Sequence, residues 1–336
     1  MTPIAADRAR PAARPAPTAI ALARFLSGRE GVLLVTLVLL GLAIDLGSHG
    51  ALFYPANVTN FLVNFAITAI PATGMTIVIL TGGIDVSTGS MLGLIAALGG
   101  KLLAAGWGLA VAVPAFLLLG AFFGLVNAVI IIEGAVPPIV ATLGTLSIYR
   151  MLVFIALGST WLTDIPPILT KIFVTTRLGP LPMATLLALL VMAGFAAFLR
   201  FFRAGRHIYA LGNNEEAARL AGLDVRRIKR ASYVLIGVFT GLAALLTLGQ
   251  SPLVQTSTGS GFVLTVIAAV VLGGTELAGG KGTILGTLLG TLIVQLVEDG
   301  VVLLHIQPFW SGVLLGFIIL ASVGLSHAWR RPAGAA

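Results

Sequence analysis

The chain has 336 residues, 58% of them hydrophobic and only 10% charged, with a mean hydropathy of +1.06. Soluble domains carry about 25% charged residues, so a water-facing surface over most of this chain is excluded, and one membrane domain is the simplest organisation. The formal charge of +8 sits in clusters beside apolar runs, the positive-inside pattern, and no basic segment has the supporting domain that a nucleic-acid reader needs. There is no cysteine, which excludes disulfides, thiolate chemistry and Cys-ligated metal. The histidines His49, His207, His305 and His327 are far apart and share no ligand spacing.

Residues 1–30 are rich in Ala, Pro and Arg and predict a disordered cytoplasmic tail. The apolar run that follows has no small-residue cleavage site, so it predicts a spanning helix rather than a signal peptide. A span needs about twenty mainly apolar residues. Ten candidates follow in order: 31–48, 58–80, 87–105, 109–132, 138–158, 180–199, 231–250, 262–274, 283–304 and 309–326. The expected fold class is an all-α polytopic membrane protein, 31–326, with a cytoplasmic loop at 200–230 and a short cytoplasmic tail at 327–336. The eighth span is short and bounded by glycine, which suggests a broken or re-entrant segment. Residues 161–175, interrupted by Pro166 and Pro167, suggest a short external helix.

Orientation follows from the cations. Arg8, Arg10, Arg14, Arg24 and Arg29 precede the first span. Six crossings return the chain to the same side at 200–230, where eight basic residues lie. Ten crossings place Arg330 and Arg331 there too. Both termini are therefore expected in the cytoplasm.

Helices in lipid approach through small residues. Gly282, Gly286 and Gly290 form one such ridge, with Thr283, Thr287 and Thr291 beside it. Gly120 and Gly124, Gly237 and Gly241, and Gly312 and Gly316 repeat the spacing. The segments GGIDVSTG (Gly82 to Gly89) and GGTELAGG (Gly273 to Gly280) resemble each other; a duplicated helical unit and two independent turns both account for that.

Amides and charges in spans mark candidate sites, because lipid-facing polar groups are costly. Asn57, Asn60 and Asn64 share one helical face, and Asn127, Gln250, Gln255 and Gln295 add further amides. Asn60, Asn64, Asn127, Gln250 and Gln295, with Ser87 and Thr142, are candidates for a polar path or its gate. Asn57 is as well explained as a helix cap. Asp85 and Glu276 fall near the predicted cytoplasmic face. Arg150 falls inside the fifth span, where it either pairs with Glu298 and Asp299 or extends outward to the interface.

In the loop GRHIYALGNNEEAARLAGLDVRRIKR (Gly205 to Arg230), Asn213 and Asn214 are good N-cap residues. Glu215 and Glu216 suit the first turn, Ala217 and Ala218 the body, and Gly222 the terminus. A helix of about two turns cannot stand alone in water, so it docks on its own protein or on a partner. An ordered surface connector and a helix that transmits motion from a cytosolic motor are both open.

Glu216-Ala217-Ala218 with Gly222 resembles the EAA-x-x-x-G core of importer permeases that dock ATP-binding subunits, although Ser232 stands where the longer motif has Ile. LTGGIDVSTGSMLGL (Leu80 to Leu94), PPIVATLGTLSIYR (Pro137 to Arg150), the coupling loop and AAVVLGGTELAGGKGTILGTLLG (Ala268 to Gly290) resemble the ribose-type sugar permeases in order and spacing. That resemblance implies a bacterial inner-membrane permease subunit of an ATP-binding-cassette importer for a small neutral carbohydrate, an autoinducer-2-like molecule included. It further implies a second permease, two cytosolic ATP-binding modules and a periplasmic sugar-binding protein. The phosphate-loop lookalike AGGKGT has Thr275 and Gly282 where that motif needs Gly and Ser or Thr. No cofactor is therefore expected in this chain; ATP and Mg²⁺ belong on the partner ATPase. A proton-coupled secondary transporter using Asp85 or Glu276 is the alternative, and a membrane enzyme, lacking any nucleophile–base pair, is the weakest reading.

Overall fold

A computed structural model describes residues 28–158, 160–307 and 309–328. Apart from residues 28–30 and 327–328, the predicted tails lie outside the described residues. Five long helices come first: α1 (Arg29–Gly47), α2 (Pro55–Leu80), α3 (Thr88–Ala104), α4 (Leu109–Ile132) and α5 (Pro138–Leu157). After a short connecting stretch come α6 (Met183–Phe201), α7 (Arg203–Asn213), α8 (Glu215–Leu220) and α9 (Val225–Gln250). The chain ends with α10 (Phe262–Leu272), α11 (Ile284–Leu303) and α12 (Phe309–Ala328).

The polytopic all-α expectation holds. Among the described residues, seven helices are long and apolar enough to cross a membrane, and the shorter apolar stretches Thr88–Ala104, Phe262–Leu272 and Phe309–Leu320 fill the remaining predicted spans. Strand among the described residues is confined to an antiparallel hairpin of two-residue strands, Arg177–Leu178 with Leu181–Pro182, and a bridge between Leu162 and Val254. The segment expected as a short external helix is one turn at Ile168–Thr170 continued by a wider turn, Lys171–Thr175.

Helix α2 forms the centre, buried from Ala66 onward except at Ile67. It packs against α9, α6, α11 and α10. The two glycine pairs of α4 and α9 meet each other. A Cβ on Gly120 would strike the Gly237 carbonyl, one on Gly237 the Gly120 carbonyl, and one on Gly241 the Phe116 carbonyl. Backbones thus touch at this crossing, where dispersion replaces the missing hydrophobic drive. The ridge of Gly286 and Gly290 abuts the backbone of α10 at Gly273 and Ala269, while Gly282 faces the Thr275 side chain. The ridge is therefore used inside this chain. Gly312 and Gly316 meet nothing within 4 Å.

The eighth span is broken. At about 1.5 Å per residue, the eleven residues of α10 cover roughly half of a hydrocarbon core of about 30 Å. The preceding segment, 251–261, runs into the bundle, where Thr258 and Gly259 lie against Gly93 and Gly89 of α3. Gly259 and Gly261 hold φ of +76° and +78°, the left-handed region that glycine enters without a Cβ clash. The largest differences from expectation lie around the basic loop. The ninth helix begins at Val225, six residues before the predicted 231, because Asp224 caps it by accepting from the Arg227 N–H at 3.0 Å. Helix α7 also occupies a stretch read as loop.

Candidate functional site

The residues singled out above fall into three places. The first is the face that carries the basic cluster. Asn214 accepts from the Ala217 N–H at 2.9 Å and so starts α8. The helix stops at Gly222, φ +83°, where Gly222 N–H donates to Arg219 at 3.0 Å and Leu223 N–H to Ala218 at 3.1 Å. This pairing satisfies the last carbonyls. Ala218, 5% exposed, packs with Leu211 and Val225. Glu215 joins Lys229 at 2.7 Å and Arg219 at 3.3 Å, and Glu216 joins Arg219 at 3.6 Å. Leu220 projects outward, 81% exposed. An apolar knob ringed by charge is left on the free side of α8.

Helix α7 ties that surface to the bundle. Gly212 has no room for a Cβ, because the Leu80 carbonyl and the Gly280 N–H stand against it. Asn213 packs on Gly280, and Tyr209 donates its hydroxyl to the Gly282 carbonyl at 2.9 Å. The end of α2 and the glycine-rich linker 273–283 therefore lie under α7, and Gly82 of the other linker, 81–87, lies against Gly279. Glu276 faces Lys281 at 3.6 Å across the second linker. Beside α8, a cavity of about 720 Å³ opens between the α4–α5 turn and Glu215, Arg219 and Lys229, flanked by an ion pair of Arg230 with Glu133.

The second place is a packed polar cluster deeper in. Asp85 accepts from the Ser87 N–H at 2.9 Å, the Ser87 hydroxyl at 2.6 Å and the Asn127 amide at 3.0 Å. Asn127 also reaches Ser87 at 2.8 Å, and Tyr149 donates to the Asn127 carbonyl oxygen at 3.3 Å. All four residues are buried. Thr142 bonds the Pro138 carbonyl at 2.9 Å and points at Ile84. These candidates knit the first linker to α4 and α5, and none of them lines the cavities described next.

The third place is the half of the bundle opposite the basic face. A cavity of about 580 Å³ is lined by Asn64, Gln250, Gln295, Glu298 and Asp299, with Ser260, Gly261 and Thr265 from the broken span. A smaller one, about 240 Å³, shares Asn64, Gln250 and Asp299 and adds Asn57 and Asn60. Gln250 donates to Asn60 at 3.3 Å, Gln295 to Asp299 at 2.9 Å and Thr265 to Glu298 at 2.7 Å. Asn57 spends its amide on the Ala51 carbonyl at 2.7 Å. The sequence thus named four path candidates that the fold gathers, Asn60, Asn64, Gln250 and Gln295, and left Arg150 either to pair with Glu298 and Asp299 or to extend outward. Arg150 instead donates to the carbonyls of Thr256 and Thr258, both at 2.9 Å, and so fastens the broken span's entry to α5. The overlooked signal was spacing: Gln295, Glu298 and Asp299 lie at i, i+3 and i+4, one helical face. No group of side chains among the described residues suits a metal ion.

Comparison with known proteins identifies the scaffold. The family described as branched-chain amino acid transport system, permease component, matches residues 57–323. The ribose import permease protein RbsC of Escherichia coli K12 is 36% identical over 295 residues, covering 87% of this chain and 91% of its own. The autoinducer 2 import system permease protein LsrC of Escherichia coli K12/DH10B is 38% identical over 252 residues, 74% and 73% of the two chains. LsrC of Photorhabdus luminescens is 36% identical over 250 residues, 74% and 75%. No solved structure matches. A multi-pass helical bundle matched along this length belongs to the branched-chain amino acid transport system permease family.

Proposed function

We propose that this chain is the membrane-spanning subunit of an ATP-driven importer for a small neutral carbohydrate, or an autoinducer-2-like molecule, handed over by a periplasmic binding protein. The relatives named for ribose and autoinducer-2 import support the cargo class. The basic face is cytoplasmic, the cavity face is periplasmic, and the membrane is the bacterial inner membrane; clustered cations support that orientation. ATP and Mg²⁺ are handled by two separate cytosolic modules, a second permease completes the pore, and this subunit performs no covalent chemistry.

The single observation that carries the coupling is α7. It connects the exposed Leu220 and Glu216 surface of α8 to Leu80 at the end of α2 and to Gly280 before α11. Closure of the ATP modules moves α8, and α7 passes the displacement to both linkers. Helices α2 and α11, which carry Asn64, Gln295 and Asp299, shift with them, and the amide-lined cavity changes its opening. Asp85, Ser87, Asn127 and Thr142 brace the inner gate beneath that cavity, and Glu276 steadies the second linker.

The test is uptake of D-ribose into proteoliposomes holding the assembled importer, with ATP supplied on the module side. Uptake should require ATP and persist when an uncoupler removes the proton gradient. Uptake that follows an imposed pH gradient without ATP would make the chain a secondary transporter.

A further inference from the structure

The two upper cavities share a chemical character that the coupling mechanism does not use. Their polar lining consists of amides, hydroxyls and two carboxylates, and among the described residues no Lys or Arg lines either one. Glu298 and Asp299 have no ion-pair partner among the described residues; Glu298 takes a hydroxyl from Thr265 and Asp299 an amide from Gln295. Carboxylates without a cationic partner are costly within a bundle even when hydrogen-bonded. A purely packing role would be served at lower cost by amides of the same shape.

We propose that Glu298 and Asp299 are specificity-determining residues: they accept hydroxyl pairs from an uncharged polyol and repel anions from the cavity. A carboxylate offers acceptors only, so its two oxygens match two adjacent O–H donors of a diol. Asn64, Gln250 and Gln295 supply both donors and acceptors for the remaining polar atoms. A phosphorylated or carboxylated sugar meets two negative groups and no cation, in a recess where field lines are focused. The polyol half of this assignment rests on the importer reading; the charge half stands on the cavity alone.

Because the chain has no cysteine, Ser260→Cys places a single thiol at the cavity. In the assembled importer, its reaction with a cationic methanethiosulfonate should outpace that with an anionic one, each normalised to a free thiol, by about tenfold or more. E298Q/D299N should bring the ratio close to unity, and E298Q or D299N alone should each lower it, so misassembly of the double variant does not stop the measurement. D-ribose at high millimolar concentration should slow labelling, and ribose 5-phosphate should not. Equal rates for the two reagents overturn the charge assignment. Protection by the phosphate, or none by ribose, overturns the polyol assignment. Absence of ATP-dependent uptake by the importer without substitutions, with the charge ratio intact, counts against the importer reading and leaves the filter standing.

Discussion

Gly280 donates its N–H to the Leu80 carbonyl at 3.1 Å, joining the end of α2 to the linker that precedes α11. Gly212 of α7 is pressed onto the same two groups with no space for a methyl. Three segments far apart in sequence therefore share one point of backbone contact. Overpacking a tight site costs about 1–3 kcal/mol. Gly212→Val should lift α7 from the end of α2 and from the linker 273–283, lowering the melting temperature in detergent by several degrees. In surviving complexes, ATP hydrolysis should continue while D-ribose uptake falls. Full uptake by that variant would show that the motion bypasses α7.

The free side of α8 separates stability from partner binding. Leu220 is 81% exposed, and surface substitutions away from special features change stability by only about 0.5 kcal/mol. Leu220→Glu should therefore leave the melting temperature of the isolated permease unchanged. An apolar anchor at a docking surface carries about 2 kcal/mol or more, so retention of the ATP-binding module in a pull-down should drop by well over tenfold. Unchanged retention would mean that α8 faces only water or headgroups.

The glycine motifs make opposite demands despite equal spacing. Gly120→Leu forces a side chain into the Gly237 backbone and should destabilise the bundle by about 1–3 kcal/mol or abolish its accumulation. Gly316→Leu extends into open space and should leave the melting temperature of the isolated subunit intact. Comparing the two by thermal unfolding in detergent checks whether α4 and α9 cross as described.

How much of this was legible in the sequence depends on whether a feature is local. Span positions were, since apolar length is a local property. So was α8, whose start and stop reside in Asn214 and Gly222. Helix α7 was not. Its body contains Gly205 and Gly212, which locally signal a loop, and it is held by tertiary contacts of Ile208, Leu211 and Tyr209. The cavity was half legible. Spacing put Asn60 and Asn64 on one face, but which helices converge on that face is a property of the whole bundle. Arg150 shows the limit most clearly: from the sequence a charge in a span pairs with carboxylates or extends to the interface, whereas the fold gives it backbone carbonyls at the entry to a broken helix.

The role of Arg150 can be tested directly. Arg150 Nη1 holds the carbonyls of Thr256 and Thr258 together, and the backbone there lies against Gly93 and Gly89 of α3. Arg150→Met keeps the apolar stem but removes both bonds, leaving two carbonyls without their donor, at about 1–3 kcal/mol each where water cannot reach. The loss should appear as faster amide hydrogen exchange confined to about residues 255–264, with the α4–α9 crossing unaffected. Arg150→Lys carries one compact ammonium in place of a planar fork, so it should restore part of the protection. If exchange rose evenly over the whole bundle instead, Arg150 would be holding the fold at large and not the entry to α10.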